Sequence, residues 1–408
     1  MYLRLNEKII ITTLIVVIAF ISVIAQSVWA QDQIIIKKTE PAHKRDGLGN
    51  VFTKFAAGGD FAIGYFGASV TNGAGASSDS TKWRWLTHRW FEKQFPKARI
   101  QHLHVVNGGT GSDLGACRLQ REMLDHKPAL LFIEFAVNDA GRPQEFLIRT
   151  MEGIVRQIWK ADATTDIIFL YTLNTGYLKD YAEGKLPSTP SAFEIVADHY
   201  GIPSIDVAYV SAQPINAGKL KWEDFSIDVV HPKDLGYKIY ADHIISCLSQ
   251  WKENVIAKPH SLPEPLRKDN WENAGMVFAN TVERSSGWTT ETDPVMAKRF
   301  PHFPNLQLAT KPGETLKFRF KGTHFGIYDV TGPDSGELDV IVDGKLISTV
   351  NCWDQWAKSY RSAFAMLAKD LEDTVHNVEL RISDKKSPES KGNAMRIGFI
   401  TMRGEIVK

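Results

Sequence analysis

Phe61-Ala62-Ile63-Gly64-Tyr65-Phe66 runs directly into Gly67-Ala68-Ser69-Val70-Thr71, and this stretch decides the fold. An apolar run this short, ending in a turn signal, reads as a strand buried on both faces of a parallel sheet. Gly67 lets the backbone turn sharply at the strand's carboxyl end, and Thr71-Asn72-Gly73-Ala74-Gly75 is small, polar and flexible, as suits a loop opening onto a cleft. Further candidate strands follow at Ile100–Val106, Leu130–Phe135, Ile167–Tyr171 and Ser204–Val207. They alternate with amphipathic candidate helices at Trp83–Phe95, Leu114–Leu124, Gln144–Trp159, Ser191–Tyr200 and Gly236–Leu248, the pattern of βαβ units with helices on both faces. The loop from Asn174 to Pro190, with two glycines and two prolines, is expected to lie over the carboxyl-end face.

Polar chemistry collects at the strand ends. In Asp228-Val229-Val230-His231-Pro232 an Asp stands three residues before a His, so one short loop can carry both side chains. The carboxylate can then hold the imidazole while the imidazole takes a proton from the hydroxyl of Ser69. Phe132-Ile133-Glu134-Phe135-Ala136-Val137-Asn138-Asp139 is an apolar strand ending in Asn138, whose amide can donate to a developing oxyanion. Each residue also has a plain structural role: Ser69 as a turn residue, Asp228 as a cap before Pro232, Asn138 as a loop closer.

In their order along the chain these blocks resemble the SGNH hydrolases, a branch of the GDSL esterase and lipase superfamily. Ser69 matches the serine block, Asn138 the asparagine block, and Asp228 with His231 the D-x-x-H block, over about residues 55 to 250. The resemblance implies a flavodoxin-like, three-layer α/β fold around a parallel sheet, a serine nucleophile and no cofactor. Two departures are Ala68, where the family usually has Asp, and Ala136, where Gly is usual. The glycine block falls in Val105-Val106-Asn107-Gly108-Gly109-Thr110-Gly111-Ser112-Asp113 with its register open: a backbone N–H is the required donor, Gly109 is favoured, Gly111 comes second, and Ser112 fits one alignment.

The 408-residue chain has a formal net charge of +1, which supplies no basic face for nucleic acid. Arg4 and Lys8 precede an apolar run from Ile9 to Ala25, and Val28 and Ala30 occupy the small-residue positions of a cleavage site. This predicts a signal peptide over 1–30 and a protein exported to the periplasm, the cell surface or the medium. An uncleaved N-terminal anchor is the alternative, and no other membrane contact is expected. Cys117, Cys247 and Cys352 are too few and too scattered for a disulfide framework and read as buried small hydrophobes. His102 and His104 alternate along a strand at a spacing open to metal, but no third ligand accompanies them, so no metal site is expected.

The catalytic domain is expected over 50–256 and a proline-rich linker over 257–268. Beyond it the texture becomes period-two: Thr315–Phe320, Gly326–Val330, Leu338–Val342 with an Asp343-Gly344 turn, Val378–Ile382 and Met395–Thr401. This predicts an accessory β-sandwich of jelly-roll or Greek-key kind over 269–408, similar to modules attached to some SGNH carbohydrate esterases. Its Trp353, Trp356 and Tyr360 are candidates for stacking on sugar rings or for the core. The expected substrate is an acylated carbohydrate or another small ester, with acetyl the favoured acyl group. Lipase or thioesterase activity would use the same atoms, and a catalytically silent glycan-binding scaffold is the reading from a different class.

Overall fold

The computed structural model describes residues 34–407, and the expected signal peptide lies outside them. From Lys37 onward the chain forms one compact unit. Its first half is built on β1 (Ala42–His43), β2 (Gly59–Gly67), β3 (Ala98–Val106), β4 (Leu130–Glu134), β5 (Asp166–Tyr171) and β6 (Ser204–Asp206), in the spatial order β1-β6-β5-β4-β2-β3. Strands β2 to β6 are parallel, and β1 closes one edge antiparallel to β6. The order is the flavodoxin-like one. Connections leave β2 in one direction and β4 in the other, and ligand sites form at such a reversal, beyond the carboxyl ends of the strands.

The longer helices of this half are α1 (Gly49–Ala57), α2 (Trp83–Gln94), α3 (Ser112–Glu122), α4 (Gln144–Ala161), α5 (Ser188–Tyr200), α6 (Val207–Asn216) and α7 (Asp234–Trp251). Tyr65 and Phe66, neighbours in β2, point to opposite sides of the sheet, and each enters a separate core. Tyr65 joins Phe55 of α1, Phe91 of α2 and Tyr240 of α7; Phe66 joins Leu119 of α3, Ile154 of α4 and Phe193 of α5. Burial on both faces is what makes β2 an apolar run. The expected strand through Val207 stops at Asp206, whose carboxylate accepts the Tyr209 N–H (2.8 Å) and caps α6. The segment 174–190, expected as a loop, carries a 3-10 turn (Thr175–Tyr177) and a short helix (Leu178–Ala182).

The second half is an antiparallel β-sandwich. Thr315–Thr331, expected as two strands, is one long strand that changes partners midway: Thr315–Gly322 pairs with Thr374–Ile382, and Phe325–Thr331 with Arg361–Ala368. A register shift between Gly322 and His324 accommodates the change, and Met395–Val407 pairs along both parts. Leu316, Phe320, Ile327, Leu380 and Ile400 fill the interior.

The halves meet over α3 and α4. Leu114 of α3 packs with Tyr328, Val330 and Phe399, and the Arg121 guanidinium lies 4.4 Å over the Phe278 ring. Trp271 is buried in the α4-side core, so close to Gly153 that an added Cβ there would come within 2.4 Å of its backbone. The stretch 257–268 is ordered: Glu152 accepts the Leu266 and Arg267 N–H groups, and Arg156 donates to the Pro263 carbonyl (2.8 Å).

Candidate active site

Gly67 ends β2 in a space that admits no side chain. A Cβ would stand 2.2 Å from Thr71 Oγ1 and 2.5 Å from the Glu134 carbonyl oxygen. The chain then turns through Ala68 into the single helical turn Ser69–Asn72. Two buried charged groups brace this turn. Arg118 stacks 4.3 Å over Phe66 and donates to the Gly67 carbonyl (2.9 Å). Glu134 accepts the hydroxyls of Thr71 (2.7 Å) and Thr172 (2.8 Å); burial raises its pKa, although these bonds pull the other way.

The loop 226–232 brings the other side chains to Ser69. The His231 carbonyl accepts both the Ile227 N–H (3.0 Å) and the Ser226 hydroxyl (2.6 Å), so the loop closes on itself. Within it Asp228 Oδ1 accepts the N–H groups of Val230 and His231, each at 2.8 Å, and Oδ2 lies 2.7 Å from His231 Nδ1. His231 Nε2 lies 2.8 Å from Ser69 Oγ. With Nδ1–H donated to the carboxylate, Nε2 is free to accept the serine hydrogen. Burial alone would raise the Asp228 carboxyl, but the bonds from the His231 ring and from two backbone N–H groups hold it below the usual carboxylate range. Gly75, at φ +94°, seats the nucleophile loop against this one: a Cβ would stand 2.5 Å from the Pro232 carbonyl oxygen.

Asn138 sits on a turn in which its own N–H and that of Asp139 both donate to the Phe135 carbonyl (3.0 Å), and its Oδ1 is buried without a partner. Ala136 adopts this turn without a positive φ, so the site has no need of the family's usual glycine. Of the Gly-rich loop, Gly111 packs against Asp139, which also accepts the Ser112 N–H (3.1 Å) and is pushed up to about 7, chiefly by burial. Gly109 is open, at φ +75°. The glycine whose Cβ would meet Ser69 is Gly108, at 3.8 Å from the serine Cβ, a position the sequence reading did not select. Its signal was the doubled glycine directly after Asn107.

His102 lies in an aromatic stack, 4.0 Å from the Trp85 ring and 4.6 Å from Tyr65, with Arg84 Nη1 3.2 Å from its Nε2. No group of three metal-ligating side chains occurs among the described residues. The three cysteines are unpaired; Cys117 and Cys247 are buried as expected, whereas Cys352 is only half-buried.

Residues 65–239 match the model of the GDSL-like lipase/acylhydrolase family. The match lies within the α/β half of the chain, which has the fold of an SGNH-type ester hydrolase domain. Both halves together align with a solved two-domain esterase (CEX) active on acetylated mannans: 20% identity, 91% of this chain and 99% of that one, TM-score 0.78. A second structure, of a two-domain esterase (CEX) co-crystallised with mannopentaose, aligns at 20% identity over 92% of this chain and 100% of that one, TM-score 0.77. At this identity the likeness is one of fold. No curated protein matches the chain at a significant level.

Proposed function

We propose that this chain is an exported serine esterase that removes O-acetyl groups from a carbohydrate, with Ser69, His231 and Asp228 as its triad. The observation that carries the reading is the continuous hydrogen-bonded path from Ser69 Oγ through the His231 ring to Asp228. Ser69 Oγ attacks the ester carbonyl carbon as His231 Nε2 takes its proton, and Asp228 holds the ring in the tautomer that can do so. The oxyanion that forms is stabilised by the Ser69 N–H, the Asn138 amide and an N–H of the Gly-rich loop, where Gly108 joins Gly109 and Gly111 as a candidate. His231 then returns the proton to the departing sugar hydroxyl as the C–O bond breaks. Water, activated by the same imidazole, releases acetate and restores Ser69. The atoms balance with no cofactor.

The carbohydrate substrate is supported by the shared two-domain fold of an esterase active on acetylated mannans. Export rests on the cationic and apolar N-terminal run with its cleavage-site residues. No described helix is long and apolar enough to cross a membrane. The proposed division keeps a catalytic domain at 50–256 and an accessory domain at 269–408.

The test is acetate release from a panel of acetylated polysaccharides, alongside aryl esters of rising chain length. The wild-type chain is expected to release acetate and to prefer short acyl groups. Ser69→Ala and His231→Ala, checked for folding by circular dichroism, are each expected to lose at least about 10³-fold in kcat, because triad members act as a unit. Wild-type turnover by folded Ser69→Ala rejects the nucleophile assignment. Turnover confined to long acyl chains would turn the reading to a lipase.

A further inference from the structure

A loop rich in glycine has few side chains with which to hold its own shape. Asn107-Gly108-Gly109-Thr110-Gly111 leaves β3 and passes beside Ser69, and its fixed points lie at its two ends. At the far end Asp139 accepts the Ser112 N–H from within the α/β half. At the near end stands Asn107, 3% exposed, whose carbonyl accepts the Thr110 hydroxyl (2.8 Å) and closes the turn. Its side-chain Oδ1 accepts the hydroxyl of Ser362, 2.6 Å away in the sandwich strand Arg361–Ala368. Asn107 Nδ2 is buried with no partner, so the Ser362 bond is what fixes this side chain's orientation. The next residue is Gly108, whose added Cβ would lie 3.8 Å from the Ser69 Cβ. The sandwich also bears on α3, which continues the loop, through Leu114 and Arg121.

We infer that the sandwich sets the oxyanion-binding loop: Ser362, through Asn107, is a positioning residue for the backbone donors beside Ser69, so the second half contributes to turnover of esters too small to touch it as a glycan site. This inference rests on the proposed serine esterase reading. A displacement of such donors by an ångström or less is enough to cost turnover, because the stabilisation depends on alignment with the transition state.

The test is steady-state hydrolysis of a soluble aryl acetate by the full chain and by Ser362→Ala, Ser362→Thr, Asn107→Ala and the Ser362→Ala/Asn107→Ala pair, with kcat expressed per folded molecule from circular dichroism. Ser362→Ala and Asn107→Ala are each expected to lower kcat roughly tenfold with KM within about twofold. Ser362→Thr, which keeps the hydroxyl, should recover most of the loss, and the double variant should be no slower than the slower single one, since both cut the same link. Unchanged kcat per folded molecule in Ser362→Ala overturns the inference, as do losses that multiply in the double variant or a Ser362→Thr as slow as Ser362→Ala. Ser69→Ala measured alongside separates the two readings. If it retains turnover, the esterase assignment fails; if it is inactive while Ser362→Ala matches wild type, only the positioning role fails.

Discussion

Asn138 is held by its backbone, through the N–H bonds to Phe135, so its side chain can be removed without undoing the turn. Asn138→Ala is expected to lower kcat by about 10²-fold, or roughly 3 kcal/mol, and to leave KM nearly unchanged, because the charge its amide is proposed to face exists only in the tetrahedral state. Asn138→Asp should be slower still, since a carboxylate would repel that charge. Steady-state kinetics on a soluble acetyl ester checks both, and an Asn138→Ala enzyme with wild-type kcat would reduce Asn138 to a loop closer. At this scale the side chains were the legible part: Ser69 comes within hydrogen-bonding distance of His231, 162 positions later, and His231 of Asp228, three positions before it. Gly108 was harder to see. A backbone N–H leaves no side-chain signature, and which of several glycines lies beside Ser69 is set by how the loop crosses from β3 to α3.

Where β2, β3 and α2 meet, His102 is stacked between Tyr65 and Trp85, and its pKa is lowered to about 3, first by burial and then by Arg84 beside it. A free histidine titrates near 6.5. Below that pH the unfolded chain takes up a proton that the folded chain refuses, so His102 removes stability as pH falls from about 6.5 towards 3. His88 and His104 are lowered as well and act in the same sense. His102→Phe, which keeps a flat ring in the stack, should flatten the fall of Tm with acidification; parallel Tm curves for variant and wild type over that range would refute it. The elements themselves were readable where burial leaves a periodic trace. The central strands β2, β4 and β5 are apolar on both faces, and α2, α3, α4, α5 and α7 begin and end within a few residues of expectation. Helix α6 was not, since Pro214 lies inside it. Strand Arg361–Ala368 was hidden by its alanines, which favour helix in isolation, and it is made a strand by pairing with Phe325–Thr331.

Taken whole, the molecule folds as two halves with a buried seam. Trp271 is 1% exposed and belongs to the core of the α/β half although it lies beyond that half's last helix. Trp271→Ala should cost about 3–5 kcal/mol, as for other large core truncations, and heating the wild-type chain should give one cooperative transition. Two resolved transitions in calorimetry of the wild type, with Trp271→Ala shifting only one, would show that the halves melt independently. The proline-rich stretch 257–268 looks like a place where one module could be cut from the next. Yet His260 Nε2 lies 2.7 Å from the buried Asp166 at the start of β5 and stacks on Trp159, while Glu152 gathers the N–H groups of Leu266 and Arg267. A catalytic half severed there would leave Asp166 one partner short and Glu152 two. The chain is therefore a poor source of a transplantable module: grafting its sandwich onto another enzyme would carry away residues that finish the core of the half left behind.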